Sequence, residues 1–177
     1  MDNPDRERMG RNEVAGYQVS LALGFEDLIA PTVLRATLYP GTDRVVNFAT
    51  QLTWHRVEEG NEGNLDRLSD DDVWAAAVLD VAIAEGDRKG HNWLLDITPA
   101  GVRLRLIDQG HAFGYGGFQS TFYERKEGER IPDQILKKMD RGWASLPRRL
   151  EKLLPPDALE GTINRVKQLL EGRVLAL

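Results

Sequence analysis

The sequence predicts an α/β (α+β) chain in two unequal parts. The smaller part, residues 1–54, holds one helix and a β-hairpin, and the larger, residues 55–177, is mostly helical around a second hairpin. Three observations predict this: apolar residues at helical spacing after Asn12, two pairs of strand-like runs split by turn residues, and the long apolar stretch VWAAAVLDVAIA. A chain of 177 residues has room for one ordinary core, or for two small lobes that share one.

The first helix is expected over residues 13–23. Asn12 is a good N-cap, Val14, Tyr17, Leu21 and Phe25 recur near helical spacing, and Gly24 is a C-terminal stop. PTVLRATLYPGTDRVVNFATQLTW then reads as two β-branched strands joined around Pro40 and Gly41. The polar run HRVEEGNEGNLDRLSDDD, broken by glycine and asparagine, is expected to be a linker or exposed excursion between the two parts.

Ser69 is the expected N-cap of a buried helix that runs to about Ala84, with Asp70, Asp71 and Asp72 at its positive end. WLLDI and VRLRLI flank TPAG and form the second hairpin. GHAFGYGGF has glycines that permit mobility and aromatics that can line a groove, which suits an activation or substrate loop and an ordinary loop alike. Three helices complete the chain: one opened by Pro132 in its first turn, one over 146–154, and one capped by Asp157 after Pro155 and Pro156.

Composition excludes several classes. Apolar residues make up 41% and charged residues 29%, the balance of a folded globular protein. A net charge of −5 argues against a general nucleic-acid surface, since phosphate binding draws on clustered Lys and Arg. The absence of cysteine removes disulfides and thiolate metal sites. The charged start MDNPDRERMGRNE lacks the apolar core of a signal peptide, and no run approaches the ~18 apolar residues of a membrane span. The expectation is a cytoplasmic protein with no integral membrane segment and no nucleic-acid partner. His55, His91 and His111 are the only histidines, and they lack the short-range spacing of a zinc site.

The chemistry concentrates in EGDRKGHNWLLD, residues 85–96, where a dense polar cluster follows the apolar helix. A hairpin turn at Pro99 and Ala100 pairs residue 92 with residue 107, so Asn92 and Asp108 finish on adjacent strand ends. Asp87, five residues before Asn92, faces the same place. An Asp, an Asn five positions on and a second Asp after a hairpin are the parts for metal-assisted phosphoryl transfer: Mg²⁺ takes carboxylate and amide oxygens with the phosphates, and the remaining Asp orients or deprotonates the attacking hydroxyl.

The loop GDRKGHN, residues 86–92, and the strand end LIDQG resemble the catalytic loop Gly-Asp-Arg-His-x-x-Asn and the metal motif Ile-Asp-x-Gly of the phosphatidylinositol 3/4-kinase-like atypical kinases, including bacterial members and related bacterial toxin Ser/Thr kinases. The resemblance spans residues 10–118. It implies a protein-kinase-like fold with a reduced small lobe, Asp87 as the catalytic aspartate, Asn92 and Asp108 (in motif 107–110) as metal ligands, and Glu13 on the family's helix C. ATP, Mg²⁺ and a hydroxyl-bearing substrate, protein Ser/Thr rather than lipid, follow as implied partners.

Arg88, Lys89 and His91 are the further candidates within the catalytic loop. Arg88 could meet a substrate phosphate or hold the Asp87 carboxylate. Lys89 stands where the family has histidine and could supply a cation near the γ-phosphate, whereas His91 could act as a base or simply pack within the loop. The family's Gly-rich strands and lysine before helix C have no counterpart, because the first lysine of the chain is Lys89. An N-terminally incomplete kinase, or one whose small lobe a partner completes, is therefore expected. A non-catalytic kinase-derived domain and an adenylyl transferase on the same scaffold are the alternative readings.

Overall fold

In the computed structural model, which describes residues 4–38, 45–54, 56–114 and 117–176, helix α2 (Asp70–Ile83) is the central element. Every residue from Val73 to Ile83 is buried, as expected of a helix that is apolar all round. Ser69 caps it by accepting from the Asp72 amide at 3.1 Å, and Asp70, Asp71 and Asp72 sit at the positive end of its dipole. The helix ends at Ala84, whose φ of 49° turns the chain sharply into the polar loop.

That loop leads into β4 (Trp93–Thr98), which turns through Pro99 and Ala100 into β5 (Gly101–Leu106). The register pairs Thr98 with Gly101 and Trp93 with Leu106, and the Ile107 amide donates to the Asn92 carbonyl at 3.2 Å. The predicted 92-to-107 pairing is therefore present. Strand β3 (Val57–Glu59) adds to the other edge of β4.

The polar run expected as a linker is thus structured, holding β3 and a 3₁₀ turn over Glu62–Arg67. Polar side chains there did not prevent pairing because β3 is a solvent-side edge strand, with Glu58 and Glu59 exposed. Gly60 follows, where a Cβ would lie 2.2 Å from the Trp93 ring. The glycine read as an interruption is there for close packing.

In the first part, helix α1 (Pro4–Ala22) begins well before the expected residue 13. Asn12 is no cap; it lies buried in the helix interior. The charged residues before it lack an apolar face, and their helix is carried by a Glu7–Arg11 ion pair at 3.3 Å and by Asn47 reaching Glu7 at 3.1 Å. Gly24, with φ of 74°, follows the end of α1 as predicted.

Strands β1 (Thr32–Leu38) and β2 (Val45–Gln51) form the predicted hairpin, paired from Thr32–Gln51 to Leu38–Val45. The Pro40–Gly41 turn lies outside the described residues. One face of this ribbon packs on α1, where a Cβ on Gly10 would lie 3.3 Å from the Ala49 nitrogen. The other exposes Val33 and Phe48.

The remaining helices are α3 (Thr121–Lys126), α4 (Asp133–Gly142), α5 (Leu146–Leu150) and α6 (Pro156–Gly172). Pro132 is the residue before α4, not in its first turn, and α5 stops at Leu150. Asp157 lies inside α6: Pro155 and Pro156 occupy the entry, where a missing N–H costs nothing, and Asp157 acts on the dipole instead. One apolar cluster runs from Ala15 in α1 through α2, β4 and β5 to Leu175, so the two sequence parts share a core. Among the described residues no helix is long and apolar enough to cross a membrane.

Candidate active site

The polar loop after α2 is built around one buried cation. Arg88 is fully buried, and its guanidinium reaches four acceptors: Asp80 Oδ1 at 3.2 Å, Glu85 Oε2 at 3.1 Å, and the carbonyls of Asn92 and Ile107 at 2.7 and 2.6 Å. Those carbonyls belong to the two chain segments that enter and leave the hairpin. Arg88 therefore stitches the end of the loop to the segment that carries Asp108, and it touches neither the Asp87 carboxylate nor solvent.

Two carboxyl groups share one guanidinium in a buried position. Burial pushes Glu85 up to about 7 despite Arg88, and pushes Asp80 up as well. Burial would lower the Arg88 value, but the two carboxylates outweigh it and raise it.

Asp87 and Asn92 form the open side of the loop. The Asn92 Nδ2 donates to the Asp87 carbonyl at 2.7 Å and to its Oδ2 at 3.2 Å, which leaves Asn92 Oδ1 as a free oxygen donor. Lys89 Nζ lies 2.6 Å from Asp87 Oδ1 and is more than half exposed. His91 takes a positive φ of 81° and turns its ring to Glu59 on β3, at the exposed rim. Asp87, Lys89 and Asn92 are thus brought together, Arg88 lies beneath them, and His91 faces the other way.

Asp108 follows β5 with φ of 58°, a conformation uncommon for a residue with a Cβ, and its side chain is exposed. Such backbone is held only where the surroundings impose it. Here Ile107 is tied to Asn92 and Arg88, and the following turn is tied to α1 through Asn12, whose Nδ2 donates to the carbonyls of Gly110 and Ala112, both at 2.9 Å.

Glu13 lies one residue further along α1, facing this segment. Burial raises its pKa to about 7, against a hydrogen bond from the Gln109 backbone amide, and Asp108 adds to the rise. Among the described residues no lysine or arginine forms an ion pair with Glu13. Beside it, the Gln109 side chain fills the space under Gly16, fully buried, with neither amide atom hydrogen-bonded.

The donor set suits Mg²⁺ better than a self-sufficient metal cage. Among the described residues no three His, Asp or Glu side chains converge. Octahedral Mg²⁺ needs only one or two side-chain oxygens, with phosphates and water completing the shell; Asn92 Oδ1, which accepts no hydrogen bond among the described residues, and the exposed Asp108 carboxylate are the oxygens that could serve. The zinc alternative involves His55, which lies outside the described residues.

Four residues of this site escaped the sequence reading: Asn12, Asp80, Glu85 and Ser120. Ser120 donates from Oγ to Asp80 Oδ2 at 2.7 Å. A polar Asp80 inside an otherwise apolar helix was the one available signal, since a buried carboxylate demands a partner. No family model matches this chain, and no curated protein matches it.

Proposed function

We propose that this chain is a kinase-like phosphotransferase that moves the γ-phosphoryl group of ATP, as its Mg²⁺ complex, to a hydroxyl, with protein Ser/Thr as the acceptor class. The observation that carries the reading is the Asn92–Asp87 pair held beside the Asp108 segment by the Asn92–Ile107 hydrogen bond. The resemblance of both motifs points the same way.

In this reading Asn92 Oδ1 and the Asp108 carboxylate would hold the metal, which would supply positive charge against the phosphates. Asp87 orients the acceptor hydroxyl and takes its proton as the oxygen attacks phosphorus and ADP leaves. Lys89 supplies a cation beside Asp87.

A second reading, a binding domain or a kinase completed by a partner, is favoured by one observation. The buried Glu13 carboxyl and the unpartnered Gln109 amide sit where the resemblance calls for a lysine from the small lobe.

Calorimetric titration of ATP with and without Mg²⁺, on the natural chain and on Asp108→Ala, separates the two. Mg²⁺-dependent binding that Asp108→Ala loses supports the first reading. Binding to neither protein supports the second. Intact-mass analysis of a modified substrate then distinguishes phosphoryl from adenylyl gain.

A further inference from the structure

We propose that Glu85 is the positioning residue for Asp87, and that through Arg88, Asp80 and Ser120 it also fixes segment 119–121 in register with the loop. The catalytic half of this proposal rests on the phosphotransferase reading. The structural half rests on geometry alone.

Each oxygen of the buried Glu85 carboxylate has a separate task. Oε1 accepts from the Gly86 and Asp87 amides, both at 3.0 Å, and so fixes the backbone from which the Asp87 side chain projects. Oε2 accepts from Arg88 at 3.1 Å. The main chain of Glu85 is also engaged, its amide donating to Asp80 and its carbonyl accepting from Gln119, each at 2.9 Å.

The same residues hold the second segment. The Arg88 amide donates to the Gln119 carbonyl at 3.0 Å, and the Arg88 carbonyl accepts from the Thr121 amide at 3.0 Å and from its hydroxyl at 3.1 Å. Ser120 lies between them, donating to Asp80, which in turn holds Arg88. A parallel bridge pairs Arg88 with Ser120. Gly86 completes the contact, for a Cβ there would lie 2.8 Å from the His111 carbonyl and 3.0 Å from that of Gly117. The loop that carries Asp87 and the chain that follows the glycine-rich stretch are therefore one clamped unit.

A counter-ion for Arg88 would need only one carboxylate and no bond to the amides before it. Two carboxylates share Arg88, and the one nearer in sequence spends a whole oxygen on the Gly86 and Asp87 amides. Losing it would leave two N–H groups without their acceptor next to the candidate base.

Amide hydrogen exchange on the full chain without nucleotide tests the clamp, using Glu85→Ala, Glu85→Gln and Ser120→Ala, with Leu169→Ala as a core variant remote from the loop. The expected result is faster exchange, by about tenfold, at Gly86, Asp87, Gln119 and Thr121 together in Glu85→Ala. Ser120→Ala should speed Gly86 and Asp87 too, although Ser120 touches neither. Leu169→Ala should raise exchange across the core without singling out these four. If Glu85→Ala does not fold, Glu85→Gln, which keeps one acceptor oxygen, carries the comparison with an intermediate effect. Unchanged exchange at Gln119 and Thr121 in the Glu85 variants, or at Gly86 and Asp87 in Ser120→Ala, overturns the clamp.

The catalytic half is read from Mg-ATP turnover. Glu85→Gln should lower kcat by about tenfold or more with KM for ATP within about twofold, because Asn92 and Asp108 are untouched. A raised KM at unchanged kcat overturns it. No Mg²⁺-dependent nucleotide binding by the natural chain overturns the phosphotransferase reading instead, and the exchange data then judge the clamp by themselves.

Discussion

Asn92 donates twice to Asp87, at 2.7 Å to its carbonyl and 3.2 Å to its carboxylate, so one side chain both orients the candidate base and presents a free amide oxygen. Asn92→Ala removes both functions. We expect its Mg²⁺-dependent affinity for ATP to fall by about 10- to 100-fold, and that of Asp108→Ala to fall at least as far. Calorimetry at fixed Mg²⁺ measures both, and an Asn92→Ala affinity equal to the natural chain's would remove Asn92 from the proposed metal site.

Arg88 carries the largest expected cost in stability. Removing it leaves Asp80 and Glu85 buried without their cation and the Ile107 carbonyl without its donor, while the Asn92 carbonyl keeps only the Ile107 amide, a loss of about 3–5 kcal/mol for Arg88→Ala. Arg88→Lys keeps the charge, but a point ammonium cannot reach four acceptors spread over a planar fork. It should fall between the two in urea unfolding. A change under about 1 kcal/mol for Arg88→Ala would mean the cluster is already neutral through bound protons.

What the sequence made legible is what local physics decides. The Ser69 cap and apolar run placed α2, and the Pro99–Ala100 turn set the 92-to-107 register, because a two-residue loop leaves little freedom. The first nine residues of α1 were not legible, since their helix draws on Asn47 of a distant strand. Strand β3 was hidden in polar sequence because only an edge pairing forms it. The Asp80–Arg88–Glu85–Ser120 cluster joins residues 40 positions apart, and no spacing rule links a serine to a helix carboxylate at that separation.

The pH dependence of stability has a definite sign. Glu13 and Glu85 are raised from 4.5 to about 7, chiefly by burial. The folded state therefore keeps a proton that the unfolded chain has released. The stability each contributes is complete below pH about 4.5 and is lost as pH rises through about 7. Unfolding free energy should drop between pH 5 and pH 8, on the order of 1–3 kcal/mol for each group. Glu13→Gln, which cannot ionise, should flatten that fall. A natural chain equally stable at pH 5 and pH 8 would show that both groups ionise with ordinary values.

Gly60→Ala forces a methyl to 2.2 Å from the Trp93 ring. Trp93 is fully buried and packs edge-on to Phe122 at 5.4 Å, so it has little room to move. We expect a loss of about 1–3 kcal/mol from overpacking. Thermal unfolding of the variant checks it, and an unchanged Tm would mean the 56–68 segment lifts away from β4 at little cost.

Asn12 separates two accounts of the same residue by the sign of one substitution. As an N-cap, Asn12→Asp would be neutral or favourable, because aspartate caps as well as asparagine and suits the helix dipole. In the helix interior, Asn12 Nδ2 instead donates to the Gly110 and Ala112 carbonyls from a buried position. Aspartate there turns a carboxylate oxygen toward two carbonyl oxygens, and alanine leaves the carbonyls bare. Asn12→Ala should cost about 1–3 kcal/mol and Asn12→Asp more, with both loosening the turn that follows Asp108. Urea unfolding gives the stabilities, and limited proteolysis within residues 110–114 reports the turn. A neutral Asn12→Asp would detach α1 from that turn and with it the account of how Asp108 is held.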